Sequence, residues 1–202
     1  MSVVIRELGV VDYLESWHSM RDFCLQRGTE TNDEIWFLQH FPVFTRGVSC
    51  HVDPMQNPLQ IPVLDTDRGG QITYHGPGQL IAYLLIDLKR TRRGVRNFVC
   101  EVEQVIINAL ASMSIQGERI VGAPGVYVDG KKIAALGIRV KNGSTYHGLS
   151  INVNMDKSPF DCIHPCGYEG LKVLNISELQ PQASLQTVQL ALTQGLRGLT
   201  YR

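Results

Sequence analysis

Twelve consecutive residues, Arg68-Gly69-Gly70-Gln71-Ile72-Thr73-Tyr74-His75-Gly76-Pro77-Gly78-Gln79, hold four glycines, a proline, an arginine and a histidine. Such a run is poor helix material, because glycine loses the most backbone entropy on ordering and proline donates no hydrogen bond. It is also too rich in glycine for an ordinary packed strand. It leads directly into Leu80-Ile81-Ala82-Tyr83-Leu84-Leu85-Ile86, a short continuous apolar run of the kind that forms a buried strand. The chain must therefore carry an irregular, open loop on the end of a core strand. Bare backbone there gives a ligand a surface to lie against, with Arg68 and His75 as polar handles. The plainer reading is a tight turn before a strand, with a structural histidine.

The rest of the pattern alternates strands and helices. Val3 to Leu8 reads as a strand. Asp12, with Glu15 three residues on, starts a helix over Tyr13 to Leu25 that puts Tyr13, Trp17, Met20 and Cys24 on one face. Glu34 to His40 reads as a strand and His51 to Pro62 as a loop. Helical spacing of Val102, Val105, Ile106, Ala109, Leu110 and Met113 predicts a helix over Asn97 to Met113. Asp129-Gly130 and Asn142-Gly143 are hairpin signals separating the apolar runs Gly125–Val128, Ile133–Val140 and Tyr146–Val153. A last helix runs from Ser184 to Leu196. The order predicts an α+β fold, a mixed or largely antiparallel sheet flanked by helices, in one domain spanning residues 1–202.

A formal net charge of zero argues against a general nucleic-acid or membrane-surface binder. The N-terminus has no signal-peptide pattern, and Leu80–Ile86 is far too short to span a bilayer, so a cytoplasmic location with reduced thiols is expected. The densest charge is basic: Lys89, Arg90, Arg92, Arg93 and Arg96. It reads either as a solvated loop or as a docking patch for an acidic partner.

Cysteine is the best candidate nucleophile, because a thiolate attacks carbonyls readily and a thioester stores an acyl group at high energy. Of the five, Cys24 and Cys100 fall in predicted helices and read as core, and Cys50 lies in a predicted loop. Cys166 sits between Pro165 and Gly167 in a predicted turn that can present it to a pocket. A free thiol has a pKa of about 8.5, so a neighbouring cation is needed to raise its thiolate fraction. Lys132 opens an apolar strand just after Asp129-Gly130, where lysines are usually solvated. Cys162 and Cys166 form a C-x3-C pair with no convincing second ligand pair, so no metal site is expected.

The segments RGGQITYHGPGQ, GVYVDGKKIAALGIRV, HGLSINVNMD and PCG, taken together in this order and spacing, resemble the lipoyl(octanoyl) transferases over about residues 34–180. The resemblance implies the fold of the biotin and lipoate protein ligase catalytic domains. It implies that Cys166 carries an acyl-thioester intermediate and that Lys132 lowers its pKa. The acyl substrate site would be lined by Arg68, Gly69, Gly70, Gln71, Ile72, Thr73, Tyr74 and His75, by Ala135, Leu136 and Gly137, and by Gly148, Leu149 and Ser150. Gly137 and Gly148 are expected to leave space beside the acyl tail. His75 and His147 are candidates for proton handling or for orienting the substrate. The implied donor is octanoyl-acyl carrier protein, the octanoyl group riding on its phosphopantetheine, with no other cofactor. The implied acceptors are lipoyl domains of 2-oxoacid dehydrogenase complexes and the glycine cleavage H protein. ATP-dependent lipoate or biotin ligases and lipoyl-domain amidotransferases share the fold and are the alternative enzymes. A carrier-binding module without activity is the non-enzymatic alternative.

Overall fold

The computed structural model describes residues 3–50, 57–163 and 172–200. In chain order its elements are β1 (Val4–Val11), α1 (Tyr13–Gln26), β2 (Glu34–His40), β3 (Val43–Arg46), β4 (Val63–Asp65), β5 (Ile72–His75), β6 (Gln79–Leu85) and α2 (Leu88–Thr91). They continue with α3 (Val95–Ser112), β7 (Glu118–Ile120), β8 (Ala123–Val128), β9 (Lys131–Leu136), β10 (Arg139–Lys141), β11 (Ser144–Tyr146), β12 (Gly148–Asn152) and α4 (Leu185–Gly198). Among the described residues, seven strands form a mixed sheet in the order β1-β2-β6-β12-β9-β8-β7. Only the β1–β2 pair in it is parallel. The α+β class read from the sequence holds.

β6 sits inside the sheet, and its side chains alternate between two cores. Leu80, Ala82 and Leu84 pack with Phe98, Val102 and Ile106 of α3 and Val188, Leu192 and Leu196 of α4. Ile81, Tyr83 and Leu85 pack with Met20 and Cys24 of α1 on the other face. Both faces are therefore apolar, which is why the run carries no polar alternation. Burying one such Leu or Ile contributes roughly 1.5–3 kcal/mol. Asp12 caps α1 by accepting from the N–H groups of Leu14 and Glu15. A second, three-stranded sheet, β4-β3-β5, carries the glycine-rich loop and encloses a smaller core around Phe44, Tyr74 and Phe160.

Both hairpin signals form turns with positive φ at each central residue: Asp129 and Gly130 at +49° and +71°, Asn142 and Gly143 at +54° and +85°. The apolar runs between them are not single strands, however. Ile133–Val140 breaks between β9 and β10, and Tyr146–Val153 breaks at His147, which lies in the left-handed region at φ +56°. Cys24 is buried as expected, and burial pushes its thiol up to about 11. Cys100 is helical but exposed, so its expected place in the core is corrected: it lies on the solvent side of α3. Among the described residues, no helix is long and apolar enough to cross a membrane.

Candidate active site

The glycine-rich loop is held in place by the side chain that opens it. Arg68 is buried and donates from Nε to Thr45 Oγ1 at 2.9 Å and from Nη1 to its neighbour's carbonyl, Gly69, at 2.8 Å. Its Nη2 donates to the carbonyls of Thr45 and Gln71 at 2.5 and 2.6 Å. A planar guanidinium can serve several carbonyls of a curled backbone at once, where an ammonium cannot. Arg68 thus ties the loop to β3.

Beneath the loop lies a cavity of about 490 Å³, within the range of small-molecule sites. Its walls come from the loop and β5, from β9 and β12, from the Gly122–Pro124 stretch and from Val99 of α3. Arg68, Gly69, Gly70, Gln71, Ile72, Thr73, His75, Lys132, Ala135, Leu136, Gly137, His147, Gly148, Leu149 and Ser150 all line it. Tyr74 does not. Its ring instead packs 5.5 Å from Phe44 and 5.7 Å from Phe160, in the core of the three-stranded sheet. Cys166 lies outside the described residues. Gly148 also differs from expectation in its role. A Cβ there would stand 2.0 Å from the carbonyl oxygen of Ala82 on β6, so this glycine is needed for strand approach rather than for space beside a ligand. At Gly137 the nearest atoms to a Cβ would be Arg68 Cδ at 3.2 Å and the Gly69 carbonyl oxygen at 3.3 Å.

Lys132 is not the solvated lysine its position beside a hairpin turn suggests. Between the pairs Val126–Ala134 and Tyr127–Lys132, β9 carries one residue more than β8. Such a bulge re-aims side chains. Lys131 is exposed, while Lys132 is 4% exposed, with Nζ donating to the Pro124 carbonyl at 3.1 Å and lying 5.2 Å from the centre of the Tyr127 ring. Its own backbone N–H donates to the Lys172 carbonyl at 2.9 Å, and its carbonyl accepts from Leu174 at 3.0 Å. Phe160 and Val173, on either side of residues 164–171, both line the cavity.

Three buried histidines lie near one another, His75 and His147 at the cavity wall and His40 behind them, 5.9 Å from His75 between ring centres. His75 donates from Nδ1 to Gln79 Oε1 at 2.6 Å, and Gln79 Nε2 donates to Asn152 Oδ1 at 3.0 Å. His40 donates from Nδ1 to the Val11 carbonyl and accepts at Nε2 from the Tyr83 hydroxyl at 2.6 Å. Burial holds His75 well below the ordinary range, helped by His40 and Arg68, and takes His40 down to about 4. His147 is also lowered by burial, although its Nε2–H donates to Asp67 Oδ1 at 3.0 Å. That bond leaves its buried Nδ1 as the acceptor nitrogen. All three rings are thus neutral near pH 7.

Asp67, Tyr13, His40, Gln79 and Asn152 are among the site residues that sequence reasoning missed. Asp67 accepts from Trp17 Nε1 at 2.8 Å, Tyr146 Oη at 2.5 Å and His147. Burial pushes its carboxyl up, but these donors outweigh it and hold the group well below the usual carboxylate range. Its place next to Arg68 was the one available signal. Tyr13 faces the cavity and stacks on His75 at 5.9 Å, a role hidden by its regular place on the apolar face of α1. Among the described residues, no three His, Cys, Asp or Glu side chains gather as metal ligands.

The arrangement combines an apolar slot, a buried lysine side chain on one wall and neutral imidazoles on another, which suits acyl transfer. Comparison with known proteins agrees. Residues 12–197 match the family model of the lipoyl protein ligase A/B catalytic domain. An octanoyltransferase of Chromobacterium violaceum is 54% identical over 179 residues, covering 89% of this chain and 86% of that protein. One of Thiobacillus denitrificans is 48% identical over 200 residues, covering 99% and 92%. Among solved structures, a lipoate-protein ligase A bound with ATP superposes with a TM-score of 0.81 at 13% identity, over 98% of this chain and 85% of that one. A biotin protein ligase from Aquifex aeolicus gives 0.56 at 11%, over 98% and 68%. At such identities these two structures establish a shared fold.

Proposed function

The chain belongs to the lipoyl protein ligase A/B catalytic-domain family and, within it, to the octanoyltransferases, and from that premise we propose how its residues carry the transfer. The enzyme is an acyltransferase that moves octanoyl groups in protein lipoylation. In the proposed mechanism the Cys166 thiolate attacks the carbonyl carbon of an octanoyl thioester carried on the phosphopantetheine of acyl carrier protein. The C–S bond to the carrier breaks, the carrier leaves as a thiolate that takes up a proton, and an octanoyl thioester remains on Cys166. The amine of a lysine on a lipoyl domain, of a 2-oxoacid dehydrogenase complex or of the glycine cleavage H protein, then attacks the same carbon. Its C–N bond forms, the Cys166–acyl bond breaks and the amine gives up a proton. No other cofactor takes part.

The observation that carries this reading is the state of Lys132. It is a 4% exposed amine at the cavity wall, and its strand is bridged by the chain just after the segment that contains Cys166. An ammonium there stabilises a thiolate and, once the thiolate is consumed, a neutral amine there can take the acceptor's proton. Backbone N–H groups of the glycine-rich walls are suited to meet the oxyanion. Burying the eight-carbon chain against Ile72, Leu136 and Leu149 contributes on the order of 5 kcal/mol at ~0.8 per methylene. The test is intact-protein and peptide mass spectrometry after mixing with octanoyl-carrier protein. An octanoyl adduct on the Cys166 peptide, lost in Cys166→Ser, is expected. Its absence, or its presence on Cys162, overturns the reading.

A further inference from the structure

The peptide unit that joins Pro124 to Gly125 is held from both ends by buried charged side chains. Its N–H donates to Glu103 Oε1 at 3.0 Å, and its carbonyl accepts from Lys132 Nζ at 3.1 Å. Glu103 reaches it from α3, is 6% exposed, and takes Arg119 Nε on its other oxygen at 3.0 Å. Arg119 is itself fixed by donating to the Cys100 carbonyl and to Gln104 Oε1. The peptide's orientation depends on glycine: Gly125 has φ +134°, and a Cβ would stand 2.6 Å from the Ala134 carbonyl oxygen. A buried carboxylate is costly to desolvate. This one directs an oxygen at the main-chain amide whose carbonyl end receives the lysine.

We propose that Glu103 is a positioning residue for Lys132, acting through the Pro124–Gly125 peptide. The carboxylate fixes the plane of that peptide and so the direction of the carbonyl that receives Nζ. Hydrogen bonds in series polarise one another, so the carboxylate also makes that carbonyl a stronger acceptor. Its negative charge favours the ammonium form of Lys132, and Arg119 offsets part of that charge. Among the described residues, the other titratable groups around Lys132 are Tyr127 on β8, whose ring faces the ammonium, Lys131 next to it on β9, and Lys172 across the bridge. The inference rests on the role proposed above for Lys132.

Two substitutions should move Lys132 in opposite directions. Glu103→Gln keeps an oxygen for the Gly125 N–H but removes the charge, so the Lys132 titration midpoint falls. Arg119→Gln leaves the carboxylate less neutralised, so the midpoint rises. The midpoint is read by NMR from the lysine Cε signals, the Lys132 signal being the one lost in Lys132→Arg. A Cys166→Ser background keeps the proposed thiol partner from titrating alongside. Shifts of about half a pH unit or more are expected, the size a unit charge several ångströms away produces at an effective dielectric near 20. Midpoints that stay put, or that move in the same direction, overturn the relay and leave Glu103 only tying α3 to β8. If Glu103→Gln fails to fold, a midpoint that does not rise in Arg119→Gln is sufficient to overturn it. The titration uses no acyl donor, so a missing Cys166 adduct and a missing relay are separate results.

Discussion

Replacing Arg68 by methionine separates a loop clamp from a substrate handle. Methionine keeps most of the volume and removes every donor. Among the bonds described, three backbone carbonyls, of Thr45, Gly69 and Gln71, and the Thr45 hydroxyl lose a charged partner. Each such bond is worth roughly 1.5–3 kcal/mol net, but the loop can relax and admit water once it is released. A loss of about 3–5 kcal/mol is therefore expected rather than the full sum. Against a typical stability of roughly 5–15 kcal/mol, that is a large fraction. Urea unfolding followed by tryptophan fluorescence is a suitable assay, because Trp17 is bonded to Asp67 beside the loop. Arg68→Lys should lose most of the same stability, since one ammonium cannot serve carbonyls on both sides of the loop. A loss below about 1 kcal/mol in Arg68→Met, with transfer abolished, would refute the clamp and make Arg68 a substrate contact.

Four further outcomes follow from the same contacts. Gly148→Ala should cost about 3 kcal/mol or more in thermal unfolding, because its Cβ meets backbone at 2.0 Å, whereas the nearest atoms to a Cβ at Gly137 stand at 3.2 and 3.3 Å and Gly137→Ala should cost about 1; equal costs would contradict the assigned roles. His40 falls from an unfolded value near 6.5 to about 4, so its contribution is complete above pH 6.5 and is lost as pH drops toward 4; about 2 kcal/mol should vanish between pH 6.5 and 5, His75 and His147 adding in the same direction, and a urea midpoint constant over that range would contradict this. Lys132→Arg should still form some acyl-enzyme but stall in transfer to the acceptor, because arginine cannot give up its proton; full second-step activity would remove the base role. Arg92 and Arg96 are exposed, while Arg93 pairs with Glu101 and donates to the Leu199 carbonyl; replacing Arg92 and Arg96 with Glu should raise KM for acyl carrier protein, most at low salt, and spare a small acyl-pantetheine donor, and equal effects on both donors would exclude docking there.

Features set by local chemistry were legible in the sequence. The Asp12 cap, the two hairpins with glycine in the left-handed region, and the doubly buried β6 follow from short-range rules. What stayed hidden depends on contacts between distant segments. No local signal breaks the run at His147, whose left-handed φ is accompanied by a bond to Asp67, eighty residues away. The bulge that turns Lys132 inward is a register difference between two strands, and neither strand alone encodes it. Tyr74 belongs to the glycine-rich run but packs against Phe44 and Phe160 in the smaller core, while Gly148 reads as an opening and serves as a close crossing. Cys100 follows helical spacing, yet its side chain is exposed on α3. Of the basic cluster, Arg90 is drawn inward by the Thr29 and Thr31 carbonyls and Asp33, which charge counting cannot reveal.

In the proposed mechanism the acyl group passes through the enzyme itself. The most direct test is a single-turnover transfer from isolated octanoyl-enzyme, freed of carrier protein and nucleotide, to a lipoyl domain. The adduct is expected to disappear as an octanoyl amide appears on the acceptor lysine in equal amount, without ATP. An isolated adduct that persists in the presence of the lipoyl domain, or transfer that requires ATP, would contradict it.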